Sequence, residues 1–416
     1  MAARREVAVA ATECPRILRR RGRLVLQGMP WMVAGIGLLG GRVARAQSSV
    51  ELRYLFYSES DGRTQVQNPT FLLHHEFSEA LGQIDLLLSH DSISGASPTG
   101  AYPTLNVTTS TSASGTSSTN AAGKIPMAQY TDERKSEGIT YSRRIGAHLP
   151  TVDLSHSVEK DYVARGYGIS DAWTMFEGRG TLHYGLSWSD DTVTPVTTGL
   201  SLPKKEHGYA LGWTWVLGEH DLLDVGTSRM NLKGDLNEPY LIVPVGTTTL
   251  AERRPDTRVR DAYFIKQAHY FEWDGALKTT YRYYRDDWGL KAHTLDFTYD
   301  QHLDEDWTLT PRLRYYTQNA ASFYGAQFAT PQTVMSSDYR LSAMSSILVG
   351  CSVSVNLQSD LTLSLGGTYQ IQQGRDQLTP LQRAASAGSP AIYSGPTTSA
   401  ADVNTVTFTL GLKWRY

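Results

Sequence analysis

The sequence is poor in cysteine, with two in 416 residues. Cys14 falls in an amino-terminal segment that we interpret below as a cleaved leader, so Cys351 is the one thiol of the predicted mature chain. A single cysteine excludes an intrachain disulfide and disfavours a thiolate metal site. The histidines and carboxylates show no HExxH, phosphate-loop or dinucleotide-binding pattern. We therefore expect neither a metal centre nor a cofactor.

The sequence also lacks a long hydrophobic run after Leu39. Hydrophobic residues make up 40% of the chain, and the mean hydropathy is -0.33. A helical membrane protein needs spans of roughly 20 apolar residues, so this class is excluded. A membrane barrel is not excluded, because each strand needs only about 9–11 residues with every second one apolar.

The amino terminus has the features of an export signal. A basic segment, Arg16–Arg23, precedes an apolar stretch, Leu24–Leu39, and Ala44-Arg45-Ala46 fits a small-x-small cleavage site. The alternative, a single transmembrane anchor, is disfavoured because the apolar run is shorter than the roughly 20 residues of a span. We predict a signal peptide over residues 1–46 and a single domain over residues 47–416.

Removal of this leader changes the charge balance. The full chain has 39 basic and 41 acidic residues, a net charge of -2. The leader contains nine Arg and two Glu, which leaves 30 basic and 39 acidic residues and a net charge of -9. An acidic protein binds the phosphate backbone of nucleic acid poorly, so we expect no nucleic-acid partner.

The carboxy-terminal segment Val406–Tyr416 alternates large apolar or aromatic residues with small or polar ones. Period-2 alternation predicts a strand with one apolar and one polar face. In a membrane barrel these faces meet lipid and a wet lumen. The segment resembles the terminal strand that the bacterial barrel assembly machinery recognises. We predict an assembly signal formed by Phe408, Leu410, Leu412, Trp414 and Tyr416.

About sixteen segments of the mature chain, from Val50–Ser58 to Val403–Tyr416, read as strands. The connections between them alternate between short ones, such as Asp274–Gly275, and long ones, such as Lys233–Asp261. This asymmetry predicts an all-β fold, a single transmembrane antiparallel up-and-down barrel with short periplasmic turns and long extracellular loops. A soluble all-β sandwich is the alternative. The low-complexity stretch Thr108–Ala122 is predicted to be a loop.

Tryptophan residues lie near predicted strand ends or outer faces. Amphipathic rings favour the headgroup zone of a membrane. We interpret eight of them as girdles of the barrel, with ordinary core positions as the alternative for individual rings. They are Trp173, Trp188, Trp213, Trp215, Trp273, Trp288, Trp307 and Trp414.

Three adjacent predicted strands place Arg and Asp on the same face. If Tyr281 and Tyr283 point to lipid, their alternate neighbours point into the lumen. Two explanations remain open, a charge ladder that neutralises buried ions and a selectivity constriction for a small solute. The candidate lumenal residues are Arg282, Tyr284, Asp286, Asp296, Asp300, Arg312 and Arg314.

The same region carries a family resemblance. Residues 283–296 (YYRDDWGLKAHTLD) resemble the hallmark of a bacterial family known as domain of unknown function 3570, and further matching segments cover nearly the whole mature chain. They are residues 54–63, 91–98, 252–258 and 314–324. The resemblance implies an outer-membrane barrel and assigns no catalytic residue. Neighbouring genes of relatives hint at exported redox proteins.

One enzyme hypothesis arises from the outer end of the third strand. His90-Asp91-Ser92 has the His-x-Ser spacing of outer-membrane phospholipases, and His90 and Ser92 share a face. A Ser–His pair also needs a third group that orients the base, and no flanking motif supplies it. We therefore expect no enzymatic activity.

The sequence leaves two classes of function open. The first is a porin-like channel for small solutes in the outer membrane of a Gram-negative bacterium, since about sixteen strands can leave an aqueous lumen. The second is a non-conducting scaffold that binds an exported protein partner, for which the gene neighbours of relatives suggest a redox protein. In both, outer-membrane lipid and the barrel assembly machinery are the expected partners.

Overall fold

Sixteen antiparallel strands form one closed barrel in chain order, and the last strand pairs with the first. The computed structural model describes residues 48–78, 80–100, 108–111, 117–120, 125–246, 248–375 and 399–416. The predicted leader, residues 1–46, lies outside them. The closed topology confirms the predicted up-and-down barrel and its strand number. Within the described part of the chain, no helix has the length and apolar character to cross a membrane.

The strands vary in length, and two hairpins stand outside the barrel sheet, β4 (Thr108–Thr111) with β5 (Ser117–Asn120) and β12 (Ile242–Val245) with β13 (Thr248–Ala251). Short 3-10 turns cover Phe176–Gly178 and Tyr339–Leu341. The strands are β1 (Ser49–Glu59), β2 (Gln65–Ser78), β3 (Gly82–Pro98), β4 (Thr108–Thr111), β5 (Ser117–Asn120), β6 (Met127–Ser142), β7 (Thr151–Val158), β8 (Tyr162–Met175), β9 (Gly180–Val193), β10 (Leu202–Val216), β11 (Asp221–Gly234), β12 (Ile242–Val245), β13 (Thr248–Ala251), β14 (Thr257–Phe271), β15 (Gly275–Asp286), β16 (Lys291–His302), β17 (Trp307–Gln318), β18 (Met344–Gln358), β19 (Leu361–Gly374) and β20 (Val403–Arg415).

The outer surface of the barrel is apolar. Leu52 of β1 lies opposite Phe71 of β2 and Leu412 of β20. One row of large side chains therefore continues across the junction between the first and the last strand. Leu52, Ile265 and Ile347 are 55%, 52% and 52% exposed. Apolar side chains exposed all around a closed sheet are suited to lipid and not to water. The barrel is therefore a transmembrane one.

The connections differ in length between the two ends of the barrel. At one end, which we call the turn end, they are short, as in residues 272–274 and 359–360. At the other, the loop end, they include residues 99–126, 235–256 and 319–343. This distribution is the one that the sequence predicted. The first loop contains the β4–β5 hairpin, so part of the predicted low-complexity loop forms strands.

Several strands extend further toward the loop end than the sequence indicated. β3 continues to Pro98, and β6 begins at Met127, with unbroken pairing between them. Ile93, Met127 and Tyr130 are the large apolar or aromatic residues of these added segments, so the regular apolar alternation that located the strands is missing there. One predicted strand, Asp338–Leu357, is shorter: β18 begins at Met344, because the Asp338 side chain caps a 3-10 turn by accepting a hydrogen bond from the Arg340 amide.

The loop end contains an apolar core of its own. Trp288 is 2% exposed and meets Phe323 edge to face, with 5.1 Å between ring centres. Its indole NH donates to the Thr257 carbonyl at 2.9 Å. The prediction that Trp288 belongs to a girdle is therefore wrong, because the tight β15–β16 connection turns this ring inward under the loops. The core consists of Leu232, Leu236, Ala262, Tyr284, Trp288, Leu290, Ala292, Ala321, Phe323 and Leu341.

Candidate functional site

The seven candidate lumenal residues lie on the inner face of β15, β16 and β17. Their chain neighbours Leu313 and Tyr315 are exposed on the outer surface. Pairing sets Arg282 opposite Thr294, and Asp296 opposite Arg314, so these side chains share one face of the sheet. The inner wall here is consequently charged on three neighbouring strands.

Asp296 is held by two arginines of β17. Arg312 donates from Nε to Oδ1 at 3.0 Å and from Nη2 to Oδ2 at 2.5 Å. The Nε atom of Arg314 lies 3.8 Å from Oδ2 of the same carboxylate. The first contact is a bidentate fork, which fixes both groups in place. Among the described residues, one carboxylate thus pairs with two guanidinium groups on this part of the wall.

Asp286 is the centre of a second, fully buried arrangement. It accepts hydrogen bonds from Arg258 and, at 2.8 Å, from the Tyr284 hydroxyl. The amide of Leu290 donates to its other oxygen at 2.9 Å. The Arg258 guanidinium also stacks on Trp288, 4.1 Å from the ring centre. These contacts satisfy the carboxylate, whereas the Nη1 atom of Arg258 is buried without a hydrogen-bond partner in the described part of the chain.

Arg260 lies on the same face, opposite Asp286 in β15 and Met230 in β11. It is 5% exposed. Within the described part of the chain, its Nε and Nη2 atoms are buried without a hydrogen-bond partner. Its Nη1 atom is 3.9 Å from the Met230 sulfur, a weak acceptor. Glu206 and Asp286 attract it electrostatically without contact.

Arg282 is the second cation of the wall without a carboxylate partner among the described residues. Its guanidinium lies 5.5 Å from the ring centre of Tyr284. The ionisable groups that act on it are Tyr284, Tyr316 and Arg314, none of which is acidic at neutral pH. The five arginines of this wall form what we call the basic strip: Arg258, Arg260, Arg282, Arg312 and Arg314.

Asp300 does not join the strip. It lies nearer the turn end, where it pairs with Lys278 at 2.5 Å and accepts from the Thr310 hydroxyl at 2.8 Å. The structure therefore brings six of the seven candidates into one region of the inner wall and places the seventh in a separate ion pair.

A second charged cluster lies on the inner wall formed by β8, β9 and β10, and the sequence analysis did not predict it. The Lys204 ammonium is 2.7 Å from Glu206, 3.3 Å from Asp191 and 3.2 Å from the Tyr162 hydroxyl. Asp191 and Lys204 fell in a predicted loop, as did Arg258 and Arg260. A signal was present in each case, because every one of these residues continues the inner-facing alternation of its own strand, odd-numbered in β9 and even-numbered in β10 and β14.

Two long loops at the loop end pack on each other. We call residues 235–246, 248–256 and 319–343 together the cap. Arg253 and Met335 exchange two backbone hydrogen bonds, of 3.0 and 2.8 Å, across the two loops. The loops also share an apolar cluster of Val243, Val245 and Met335. The two loops of the cap thus fold together as one unit.

The cap reaches across the barrel mouth. The Tyr240 hydroxyl donates to Asp161, in the turn between β7 and β8, at 2.6 Å. On another side of the rim, Arg63, in the turn between β1 and β2, lies 5.6 Å from the centre of the Tyr339 ring. These contacts join parts of the rim that are several strands apart in the barrel order. The cap therefore covers the mouth at the loop end.

Buried ions tie the two loops of the cap together. The Arg254 guanidinium lies between Glu252 and Asp338, at 2.8 Å from each. Arg340 contacts Asp338 at 2.7 Å and Glu238 at 3.3 Å. Burial alone would raise the pKa of Asp338, but Arg340 and Arg254 outweigh it and hold that pKa at about 2. For Glu252, burial prevails over the attraction of Arg254 and raises the pKa.

The His90–Ser92 pair of the hydrolase hypothesis lies on the outer face of β3, opposite Lys135 and Glu133 of β6. Among the described residues, no hydrogen bond joins His90 to Ser92 and no third group orients the imidazole. The expectation that the protein is not an enzyme stays a prediction.

A trio of carboxylates at the loop end, Asp132, Glu159 and Asp161, has oxygen atoms within 4.8 Å of one another. No sequence motif indicates this trio, because its residues come from β6 and from the β7–β8 turn. Arg134 lies 3.4 Å from Glu159, and Tyr240 donates to Asp161. The charges of the trio are thus partly balanced by the protein itself.

The predicted assembly signal occupies the outer face of β20, with all five side chains exposed. β20 pairs with both β19 and β1 and closes the barrel. The Trp414 indole NH donates to Asp360 at 2.9 Å at the turn end. Recognition of these residues by an assembly machinery stays a prediction.

Solved structures with similar folds share little sequence with this chain. The siderophore receptor PirA from Pseudomonas aeruginosa aligns at 10% identity and a TM-score of 0.41 over 88% of this chain and 61% of the receptor, so the chain spans less than two thirds of it. OccK5 (OpdH) from the same organism aligns at 8% identity and a TM-score of 0.42, over 89% and 98% of the two chains. OmpT of Vibrio cholerae, an outer membrane protein, aligns at 10% identity and a TM-score of 0.42, over 89% and 97%. Likenesses this weak carry no functional conclusion.

A search of curated protein sequences finds no match. The family model described as "Protein of unknown function (DUF3570)" matches residues 39–202 and 201–404, which is most of the chain. The match confirms the resemblance that the sequence motifs indicated. This outer-membrane type of β-barrel therefore belongs to the DUF3570 family.

Proposed function

We propose that the protein is a porin-like channel for small solutes in the outer membrane of a Gram-negative bacterium. The observation that carries the proposal is the basic strip, a row of arginines on the inner wall of a closed sixteen-stranded barrel. A barrel of about this size can enclose an aqueous lumen. Charged side chains on such a wall select solutes by charge. The apolar outer surface and the terminal strand support the assignment to the outer membrane.

The cap limits this channel at the loop end. Because it spans the mouth and is tied by buried ions, solutes pass only beside it or after it moves. We expect low or intermittent conductance, with transitions that depend on the cap contacts. Arg312 and Arg314 lie below the cap on the inner wall, and their charges act on any ion that has entered.

Single-channel conductance of the refolded mature protein in a planar bilayer tests the proposal. The variant Arg312→Ala/Arg314→Ala removes two inner charges, and we expect the reversal potential in a salt gradient to move toward cation preference. Arg229→Ala is the matched control, because Arg229 is 55% exposed on the outer face and pairs with Asp261 there. If the openings of all three proteins show the same ion preference, the basic strip does not line the conduction path.

A non-conducting scaffold is the second candidate function, and the cap favours it. A loop assembly with its own core and buried ion pairs is suited to holding the mouth shut. Under this reading the barrel displays a surface to an exported protein partner. A barrel that migrates as a folded, heat-modifiable species, never conducts, and co-purifies with one periplasmic protein would favour the scaffold. Steady openings without such a partner would favour the channel.

A further inference from the structure

We propose that one side of the outer face binds the anionic phosphate groups of lipid headgroups at the loop end. The surface consists of exposed cations on β8, β10, β11, β15 and β16, which we call the cationic arc: Arg165, Lys205, Lys233, Arg285 and Lys291. The proposal requires a membrane around the barrel but no conduction, so it holds or fails apart from the channel.

The depth of the arc in the membrane is the first argument. Lys205 of β10 lies directly opposite Lys233 of β11. Ten residues nearer the turn end, Trp215 begins a row of exposed side chains on the same face of β10, which continues with Leu211 and Tyr209. A strand tilted by about 40° advances roughly 2.5 Å of membrane depth per residue. Ten residues therefore cover about 25 Å, the height of the apolar band of a membrane barrel. The two lysines thus lie at the headgroup level of the leaflet that surrounds the loop end.

The charge balance is the second argument. Like charges directly opposite each other in a sheet repel, as Lys205 and Lys233 do. Asp190 lies 3.9 Å from the Lys205 ammonium, a loose contact between side chains that are 61% and 66% exposed. Asp190 is also opposite Arg165 of β8. This row of the outer face therefore has three cations and one carboxylate, and a phosphate between the lysines would relieve their repulsion.

The other end of the arc has a similar excess. Arg229 occupies both oxygens of Asp261 with hydrogen bonds of 2.8 and 3.1 Å. The Nε atom of Arg285 lies 3.4 Å from the same carboxylate as a second cation, and Lys291 is directly opposite Arg285. The Arg285 guanidinium lies 5.9 Å from the centre of the Tyr263 ring. At a membrane interface, aromatic rings lie at the headgroup boundary and long basic side chains extend their charge beyond it.

The position of the arc around the barrel is the third argument. Between β8 and β16, three carboxylates at the loop end of the outer face, Asp190, Asp261 and Asp287, accompany Arg229 and the five residues of the arc. The corresponding outward-facing positions on β18 to β20, β1 and β2 are neutral. They are Ser345, Gln373, Asn404, Ser58 and Gln65. The positive charge is thus confined to one side. The membrane itself supplies the complementary anion, because lipid phosphates lie at this depth.

Native mass spectrometry of the folded, full-length mature barrel in detergent tests the arc. The probes are phosphatidic acid, whose phosphate is anionic, and phosphatidylcholine with the same acyl chains, whose choline neutralises the phosphate. We expect the protein to retain phosphatidic acid in preference to phosphatidylcholine. In Lys205→Gln/Lys233→Gln, the affinity for phosphatidic acid should fall on the order of tenfold. Arg143→Gln/Arg179→Gln removes two exposed cations at the turn end, and this matched control should bind as the unaltered protein does.

Two results would overturn the proposal: equal retention of the two lipids by the unaltered protein, or equal losses of affinity in the arc variant and the turn-end control. Lys205→Arg/Lys233→Arg keeps both charges and should keep the affinity, and a loss there would count against the proposal too. Heat modifiability shows whether each variant is folded. If the lysine variant misfolds, Arg285→Gln/Lys291→Gln tests the other end of the arc. A silent barrel that prefers phosphatidic acid loses only the channel, and a conducting barrel without that preference loses only the arc.

Discussion

Arg258 makes two contacts at once: its guanidinium lies 4.1 Å from the centre of the Trp288 ring and forms an ion pair with Asp286. Both charged side chains are fully buried. The ring covers one face of the guanidinium, and the carboxylate takes its edge. This arrangement anchors the first residues of β14 to the end of β15, directly beneath the cap.

Asp286→Asn should therefore destabilise the barrel strongly. Removal of one partner of a buried pair leaves the other charge uncompensated, which costs about 3–5 kcal/mol. Urea-induced unfolding in lipid vesicles measures the loss. The control is Asp261→Asn, whose arginine partner Arg229 is exposed, and it should change the stability far less. Equal losses in the two variants would contradict the role of burial.

Acid should loosen the cap through Asp338. Its pKa in the cap is about 2, below the usual 3.8, so the charged form is the one that the cap stabilises. A depressed pKa contributes stability that is present above about pH 4 and is lost as the pH falls toward 2. Glu252 has a raised pKa and acts in the opposite sense, because its protonation favours the cap.

Hydrogen exchange of cap amides, followed by mass spectrometry between pH 7 and pH 2.5 and corrected for the intrinsic rate, measures this effect. Protection should fall over the lower part of that range. In the Asp338→Asn variant, the cap amides should be less protected at pH 7 than in the unaltered protein. Their protection should fall little further on acidification. If the cap amides of the unaltered protein are as well protected at pH 2.5 as at pH 7, the ion pairs of Asp338 do not stabilise the cap.

Asp296→Asn should make the channel prefer anions more strongly. The substitution removes the carboxylate that Arg312 and Arg314 share and leaves both guanidinium groups in place. The reversal potential in a salt gradient reports the change. Asp261→Asn, on the outer face, is the control. A shift toward cations would mean that Asp296 acts by positioning the arginines and not by its charge.

Tyr240→Phe should raise the open probability of the channel. The hydroxyl donates to Asp161 at 2.6 Å and accepts from the Val196 amide at 3.0 Å, so it ties the cap to two parts of the rim. Loss of one charged hydrogen bond weakens the closed form by about 1.5–3 kcal/mol. Single-channel recording measures the effect, and Tyr209→Phe, on the outer face, should show none.

Trp414→Ser should reduce assembly of the barrel in the membrane more than Trp307→Ser does. Both rings are exposed, at 48% and 45%, and both lie on the outer face near the turn end. Only Trp414 belongs to the predicted terminal signal. Cell fractionation with heat-modifiability analysis gives the folded fraction. Equal reductions would indicate that both rings act as membrane anchors and that the terminal strand carries no special signal.

The sequence located the barrel strands because lipid imposes a strict period-2 pattern on the outer face. That pattern ends where the strands leave the apolar zone. Asp191, Lys204, Arg258 and Arg260 lie beyond it, in strand segments that are polar on both sides, and they were taken for loop residues. The inner wall was thus predicted on three strands and missed on the others.

The cap was beyond sequence reasoning for a different reason. Arg254 and Asp338, which meet at 2.8 Å, are 84 residues apart in the chain. Nothing in the local pattern of either loop indicates the other as its partner. Trp288 was assigned to a girdle for the same reason. The residue that buries it, Phe323, comes from the cap and is distant in the sequence.

The strand order has a consequence for how the barrel closes. Every barrel strand pairs with the barrel strands nearest to it in the chain, except at the seam between β1 and β20. Almost the whole sheet can grow by adding hairpins, each of which closes a loop of limited length. The seam alone joins opposite ends of the chain, and it carries the largest loop-closure entropy. Until it forms, two strand edges remain open to pairing with other chains, so a nascent barrel of this kind is exposed to aggregation at a single late step.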